Sequence, residues 1–386
     1  MELHEMANSA RRKGVGLLGT GDITHPGWRD LVRSVLRPID GAGTYEYDGV
    51  RFLLTGEISL VWKQSGRGRR IHLLLFLPSF RAADDVSSEL AKLGTLSSDG
   101  RPILGVSAET AVAAIRIACP EAVLIPAHVW TPWYSVFGAR SGFASLEECF
   151  GREAESIQAI ETGLSSDPAM NRRWSALDSL RLVSFSDAHS PSKIGREATV
   201  FDLSEVTFGA LAEALSTGRG MAGTIEYFPP LGKYHYDGHR TCGISWSPQE
   251  SHEHGGICPV CGKPVTIGVL HRVEALCDRQ IPAGDESIAH IIPLDEILAW
   301  TYGVGGNTQR VQRSSERLIA ACGDELAILL EADEAALRDA SDEAAATAIL
   351  AARHGMISIR PGYDGRYGVP EAASPSEGSE TPVSAR

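Results

Sequence analysis

Leu182-Val183-Ser184-Phe185-Ser186-Asp187-Ala188-His189-Ser190 is the stretch on which the reading of the whole chain turns. An apolar run of strand length ends in an acid and a histidine two residues apart. In α/β proteins the reactive groups sit at the carboxyl ends of strands, so Asp187 and His189 would present an oxygen and an imidazole to one point, as a metal ion requires. A single Asp-x-His equally well caps a helix or makes a surface turn. Repetition decides between the two readings, and the pattern repeats.

Upstream, Val15–Thr20 reads as a short buried strand that runs directly into Gly21-Asp22-Ile23-Thr24-His25-Pro26-Gly27-Trp28. The strand Arg51–Ser59 carries Glu57, and the strand Ile71–Leu77 carries His72 among apolar neighbours. Ala122–Ile125 leads into Pro126-Ala127-His128-Val129-Trp130, and Ile157–Glu161 ends on an acid. Residues 1–13, Ala108–Cys119 and Phe201–Met221 have helical periodicity. Strand, polar group, helix, strand recurs over about 200 residues, which predicts a parallel α/β barrel or a doubly wound sheet. The barrel is favoured, because its strand ends face one centre. There Asp22, His25, Glu57, His72, His128, Asp187 and His189 converge as a multinuclear metal site.

With 386 residues, 43% of them hydrophobic, the chain is long enough for a large domain and a smaller one. No signal peptide or bilayer-length apolar run is present, so a cytoplasmic location and no membrane association are expected. A formal charge of -13 argues against bulk attraction to nucleic acid. Charge acts locally, however, and a domain that cages cations with carboxylates looks more acidic in sequence than its loaded surface is.

The seven cysteines are an odd number for a disulfide framework. After a turn-rich joint at Tyr227–Tyr234, His239-Arg240-Thr241-Cys242 is followed by Cys258-Pro259-Val260-Cys261-Gly262-Lys263. Cys-Pro-x-Cys-Gly is the tight turn that brings two thiolates to one zinc ion. Ser245 stands where a fourth thiol would fall, so His239 completes a set with Cys242, Cys258 and Cys261, with His252, His254 and His271 as rivals. A closed site of this kind contributes folding energy, not chemistry. Arg310, Arg313 and Arg317 form one basic helix face, and Pro370–Arg386, rich in Ser, Pro and Glu, is expected to be disordered.

The series Gly-Asp-x-x-His, Gly-Glu-Ile, an isolated strand histidine, Ala-His and Ser-Asp-Ala-His resembles the ligand set of the PHP (polymerase and histidinol phosphatase) superfamily. Longer motifs are similar to the endonuclease Q family within it: Gly19–Trp28, Ser98–Gly105, Ala127–Trp133, Glu161–Pro168 and the module Tyr234–Arg272. The resemblance implies a distorted (β/α)7 barrel with a small zinc-binding module and a C-terminal α+β segment. It implies residues 1–225 as the catalytic barrel, 226–285 as the zinc module, 286–369 as a helical and hairpin region, and 370–386 as a tail. PHP proteins open with a strand carrying His-x-His, and no such pair precedes Gly21. Either the start lies upstream or two ligands are lost; the seven later ligand positions favour the first alternative.

The implied activity is hydrolysis of the phosphodiester on the 5′ side of a deaminated base (uracil, hypoxanthine or xanthine) or an abasic site, with damaged DNA as the partner and two or three divalent ions as cofactors. The donors do not choose among zinc, manganese, iron and magnesium. Asp187, His189 and Glu57 are the candidate catalytic groups, Glu57 as a bridging carboxylate and Asp187 as the group that orients water. Trp130 and Trp133, just after His128, are candidates to stack on a base. Lys193, Arg196, Lys263 and Arg272 are candidates for phosphate contacts. The alternatives are a PHP phosphoesterase acting on a small phosphomonoester and a catalytically impaired lesion-binding protein.

Overall fold

The computed structural model describes residues 1–284 and 286–371. At its centre stands a long hairpin, Val50–Gln64 against Arg67–Leu77, paired without interruption from Leu54↔Leu77 to Gln64↔Arg67. Ser65 (φ 50) and Gly66 (φ 76) turn it; two consecutive left-handed residues match the right-handed twist of the strands they join. Around it, Leu17–Gly19 and Ile103–Leu104 lie parallel to Val50–Gln64, and Val123–Pro126 lies antiparallel to Arg67–Leu77. Ala159–Glu161 pairs in parallel with Arg181–Val183, the strand that leads to Asp187.

The sheet is therefore mixed: the expected parallel pairing holds at Leu17–Gly19, Ile103–Leu104 and Ala159–Glu161, and is corrected at the central hairpin. Parallel strands need a crossover of a dozen or more residues, and the two residues between Gln64 and Arg67 permit only antiparallel pairing. Among the described residues the ladders form one seven-stranded sheet and smaller sheets, with helices packed around them, the mixed architecture expected of the distorted barrel. The segment Phe201–Met221 is also only partly helical. Phe208–Thr217 is the helix, and its flanks are strands, Ala198–Phe201 and Met221–Tyr227.

Helices Leu3–Lys13, Phe80–Ala91 and Ala108–Ala118 bury their apolar faces in the main core with Phe52, Leu54, Leu60, Leu73 and Leu75. Ser79 and Ser107 accept hydrogen bonds from Ala82 N and Thr110 N, satisfying donors that a helix start leaves free. Met221–Tyr227 pairs on one side with Ala198–Phe201 and on the other with Ile288–Ile291, so the cysteine-bearing segment loops out between two neighbouring strands. Ile288–Ile291, expected in the C-terminal region, thus completes a sheet begun before the zinc module. The C-terminal helices Leu294–Tyr302, Gln309–Cys322 and Glu343–Arg353 share a second core. The buried ion pair of Lys13 Nζ with Glu325 Oε1 (2.8 Å) ties that unit to the first helix. Val369–Glu371 pairs with Ser358–Arg360, so the expected tail begins no earlier than residue 372, outside the described residues.

Candidate metal centre and zinc module

Three side chains from three strand segments meet on one face of the central sheet. Glu57 faces inward from the middle of Val50–Gln64, and His72 comes from the adjacent strand. His128 follows the end of Val123–Pro126. Glu57 Oε1 lies 2.7 Å from His72 Nδ1 and 3.8 Å from His128 Nε2, and the two imidazole nitrogens are 3.1 Å apart. All three offer ligand atoms within 4.8 Å of one another. One hard oxygen and two borderline nitrogens make a donor set that fits a divalent ion.

Electrostatics bind the cluster together. Burial alone would push the Glu57 carboxyl up, but the nearby His128 and His72 imidazoles hold it below the usual carboxylate range. Burial would lower His128, and the neighbouring Glu57 and Asp187 carboxylates instead raise it to about 9. For His72 burial prevails and its pKa is lowered. Arg101 Nη1, 3.3 Å from Glu57 Oε2, adds a half-exposed positive charge at the rim.

Asp22, His25, Asp187 and His189 line the same 1460 Å³ cleft but stand outside the tight group. His25 caps helix Pro26–Val35, its Nδ1 accepting from Trp28 N at 3.2 Å, which leaves Nε2 as its only free nitrogen. His189 is largely exposed, with its Nδ1 3.6 Å from Asp187 Oδ1. Asp22 (φ 49), His128 (φ 32) and Asp187 (φ 43) all hold left-handed backbone conformations. Such strain costs non-glycine residues on the order of 1–3 kcal/mol each and gathers at functional sites. Gly163 answers to the same geometry, since a Cβ there would stand 2.6 Å from that of His128.

Glu161 belongs to the centre although the candidate ligand set omits it. It is 2% exposed, and its Oε2 accepts from His128 N at 2.6 Å. Burial pushes its carboxyl up to about 8, with His128 opposing and Asp187 reinforcing. Its place at the end of the strand Ala159–Glu161 was the available signal.

At the far module, His239, Cys242, Cys258 and Cys261 bring their ligand atoms within 4.8 Å. The rivals stand outside that group: His254 stacks on Trp246, His271 Nδ1 is paired with Asp237 Oδ2 at 2.5 Å, and His252 packs against the His271 ring. Burial would raise the Cys258 thiol, but the backbone N–H groups of Cys261 and Val260 draw it down, favouring the thiolate that zinc takes. The local apolar core is only Trp246, Cys258 and Val265, too small to hold the segment by burial alone.

Residues 171–219 match the family described as PHP-associated, and residues 293–356 match the MJ0043 C-terminal domain. A crystal structure of the lesion-specific endonuclease PfuEndoQ from Pyrococcus furiosus superposes with a TM-score of 0.84 at 30% identity, covering 96% of this chain and 90% of that one. Endonuclease Q in complex with a 27-mer duplex bearing an abasic lesion at the active site gives 0.87 at 30% identity, covering 97% and 92%. The chain belongs to the endonuclease Q family. It is also 30% identical to the uncharacterized protein YqxK of Bacillus subtilis over 94% of its length and 90% of that protein. It is 32% identical to the uncharacterized protein MJ0043 of Methanocaldococcus jannaschii over 62% of its length, but spans only 31% of that longer protein.

Within this endonuclease Q relative, several side chains considered for nucleic acid are committed elsewhere. Trp130 is 1% exposed, donates from Nε1 to Asn171 Oδ1 at 2.7 Å and packs on Phe137 and Trp174, so it cannot stack on a base. Trp133 is half-buried, edge-on to Tyr234. Arg196, also buried, donates to Ser186 O and Asp187 O, which makes it the brace of the Asp187 loop. Arg272 donates to Phe137 O and Phe143 O, holding the module against the first domain. Lys193 is paired with Glu296 at 2.6 Å. Lys263 is exposed. Among the described residues no helix is long and apolar enough to cross a membrane.

Proposed function

We propose that this chain is a metal-dependent DNA repair endonuclease that hydrolyses the phosphodiester on the 5′ side of a deaminated base or an abasic site. The observation that carries the reading is the Glu57–His72–His128 cluster opening into a cleft lined by Asp22, His25, Asp187 and His189. Those seven residues would hold two or three divalent ions, with residues 1–225 as the catalytic domain. Bound there, the metal supplies an activated water and neutralises developing charge on the phosphate.

The chain's own residues do the rest. Glu57 orients both imidazoles, and Asp187, braced by Arg196, faces the position where water must be aligned. Arg101 places a cation at the cleft rim, suited to a non-bridging phosphate oxygen. A cleft of 1460 Å³ has room for an extruded nucleotide, and extrusion costs least at a mismatched or missing base. The zinc site of His239, Cys242, Cys258 and Cys261 fixes the module that docks on the first domain through Arg272, and the protein works in the cytoplasm.

A second reading, a lesion-binding protein with impaired catalysis, draws on the tight grouping of only three donors and on the exposure of His189. Incubating the chain, and an N-terminally extended version, with uracil-, hypoxanthine- or abasic-site duplex and manganese or magnesium separates the two. Incision 5′ of the lesion supports the endonuclease. Lesion binding without incision by either version supports the second reading. Hydrolysis of small phosphate esters alone contradicts both.

A further inference from the structure

The central hairpin extends beyond the metal centre, and its far end is basic in a chain of formal charge -13. In an antiparallel ladder directly opposed residues share a face, as do alternate residues along each strand. The register pairs Glu57 with Leu74, Ser59 with His72, Val61 with Arg70 and Lys63 with Gly68. Arg70 and Lys63 therefore lie on the face that carries Glu57 and His72. At a rise of about 3.3 Å per residue, Arg70 stands roughly 7 Å and Lys63 roughly 13 Å beyond His72 along the strand axis. Arg67, opposite Gln64, lies in phase with Arg69 on the other face, but it stands beside the turn and adds its charge at the tip of the hairpin.

All three cations are exposed, and no ion pair engages any of them among the described residues. Tyr134 bridges the interval. Its ring lies 4.7 Å from that of His72 on one side and 5.6 Å from the Arg70 guanidinium on the other. It also holds a left-handed backbone (φ 58), and His72 N donates to its carbonyl at 3.1 Å. Arg69, on the opposite face, is used up against the Phe143 ring. The result is a line of uncompensated positive charge that starts at the metal centre and runs outward over one face of a rigid hairpin.

We infer that Arg70, Lys63 and Arg67 form a track for the phosphodiester backbone of the DNA arm leaving the metal centre. This rests on the endonuclease reading and adds to it the path of the substrate. The alternative for exposed cations is that they are merely solvated. The placement of Arg70 and Lys63 in register with the metal-facing side chains, with Arg67 at the hairpin tip beyond them and an aromatic ring between Arg70 and His72, favours the track. Contacts of this kind position the duplex and carry no sequence information, so their loss weakens lesion-bearing and intact duplex alike.

The test measures duplex affinity between 50 and 200 mM salt for the full chain and for Lys63→Ala/Arg67→Ala/Arg70→Ala. Each neutralised phosphate contributes a slope of about 0.9 in log affinity against log salt, so loss of three contacts leaves the variant about 40-fold less salt-sensitive over that range. Arg310→Ala/Arg313→Ala/Arg317→Ala removes the same charge from a distant exposed helix face and is expected to retain the parent slope. The single variant Lys63→Ala, at an exposed site, is expected to lower the slope by about 0.9 and keeps the test valid should the triple variant fold poorly. An unchanged slope in the hairpin variants, or an equal fall in the helix variant, overturns the track while leaving the endonuclease reading standing. A full chain that neither binds nor cuts duplex DNA overturns both.

Discussion

Metal uptake at the Glu57–His72–His128 cluster should depend on pH in a way fixed by His128. An imidazole must be neutral to bind metal, and His128 is held protonated up to about 9 by Glu57 and Asp187 against the opposing effect of burial. Between pH 7 and 9 each metal ion that enters through His128 must displace a proton. Apparent affinity should therefore rise about tenfold per pH unit, or about 100-fold over the interval, equivalent to ~2.7 kcal/mol. Glu57→Gln removes one of the charges that raise His128 and leaves that of Asp187, so the His128 pKa falls towards its ordinary value. The variant should bind more weakly overall, having lost a carboxylate ligand, and its pH profile should be shallower than that of the parent. Competition for manganese against a coloured chelator from pH 6.5 to 9.5 measures both curves. A flat profile in the parent protein, or an unchanged slope in Glu57→Gln, would refute the electrostatic account of the cluster.

Other elements make separate predictions. His235 is buried, and burial lowers its pKa to about 4 despite a hydrogen bond to Ser165 O. The unfolded chain then binds the proton that the folded one refuses, so stability is full above about pH 6.5 and falls as pH drops towards 4. The expected loss between pH 7 and 5 is about 2 kcal/mol, read as denaturation midpoints and absent in a His235 variant that retains the fold. Trp130→Ala should cost roughly 3–5 kcal/mol, as large aromatic deletions in a core do, whereas Trp133→Ala should cost well under half of that. Equal costs would contradict their different burial. His239→Ala should lose one zinc per chain by elemental analysis while His254→Ala keeps it, and chelation should melt the module while the main core persists; zinc retained in His239→Ala would return the fourth ligand to its rivals.

Much of the candidate site was legible because lone polar residues interrupt apolar strand runs, as Glu57 and His72 do in mid-strand, or follow them directly, as His128 does. The strand arrangement was less legible. Apolar periodicity is blind to strand direction, yet Ser65-Gly66 between two apolar runs was a two-residue turn, and it already excluded a parallel pairing. Glu161 was visible as another acid at a strand end, but its hydrogen bond to His128 N depends on two loops meeting. Trp130 and Trp133 look alike in sequence, three residues apart after a ligand. Only packing against Phe137, Trp174 and Asn171 sends one inward. Arg196 and Arg272 show the same limit, since a buried arginine braced on carbonyls is indistinguishable in sequence from one that meets phosphate. The left-handed backbones of Asp22, His128 and Asp187 had no counterpart in composition or spacing, although Gly163, which leaves room beside His128, did.

Incision of a duplex carrying one uracil, hypoxanthine or abasic site, with manganese or magnesium supplied, tests the central claim most directly. The account predicts a single cut 5′ of the lesion, lost in Asp187→Ala while lesion binding survives. A duplex cut equally well without the lesion, or cutting retained in Asp187→Ala, would contradict it.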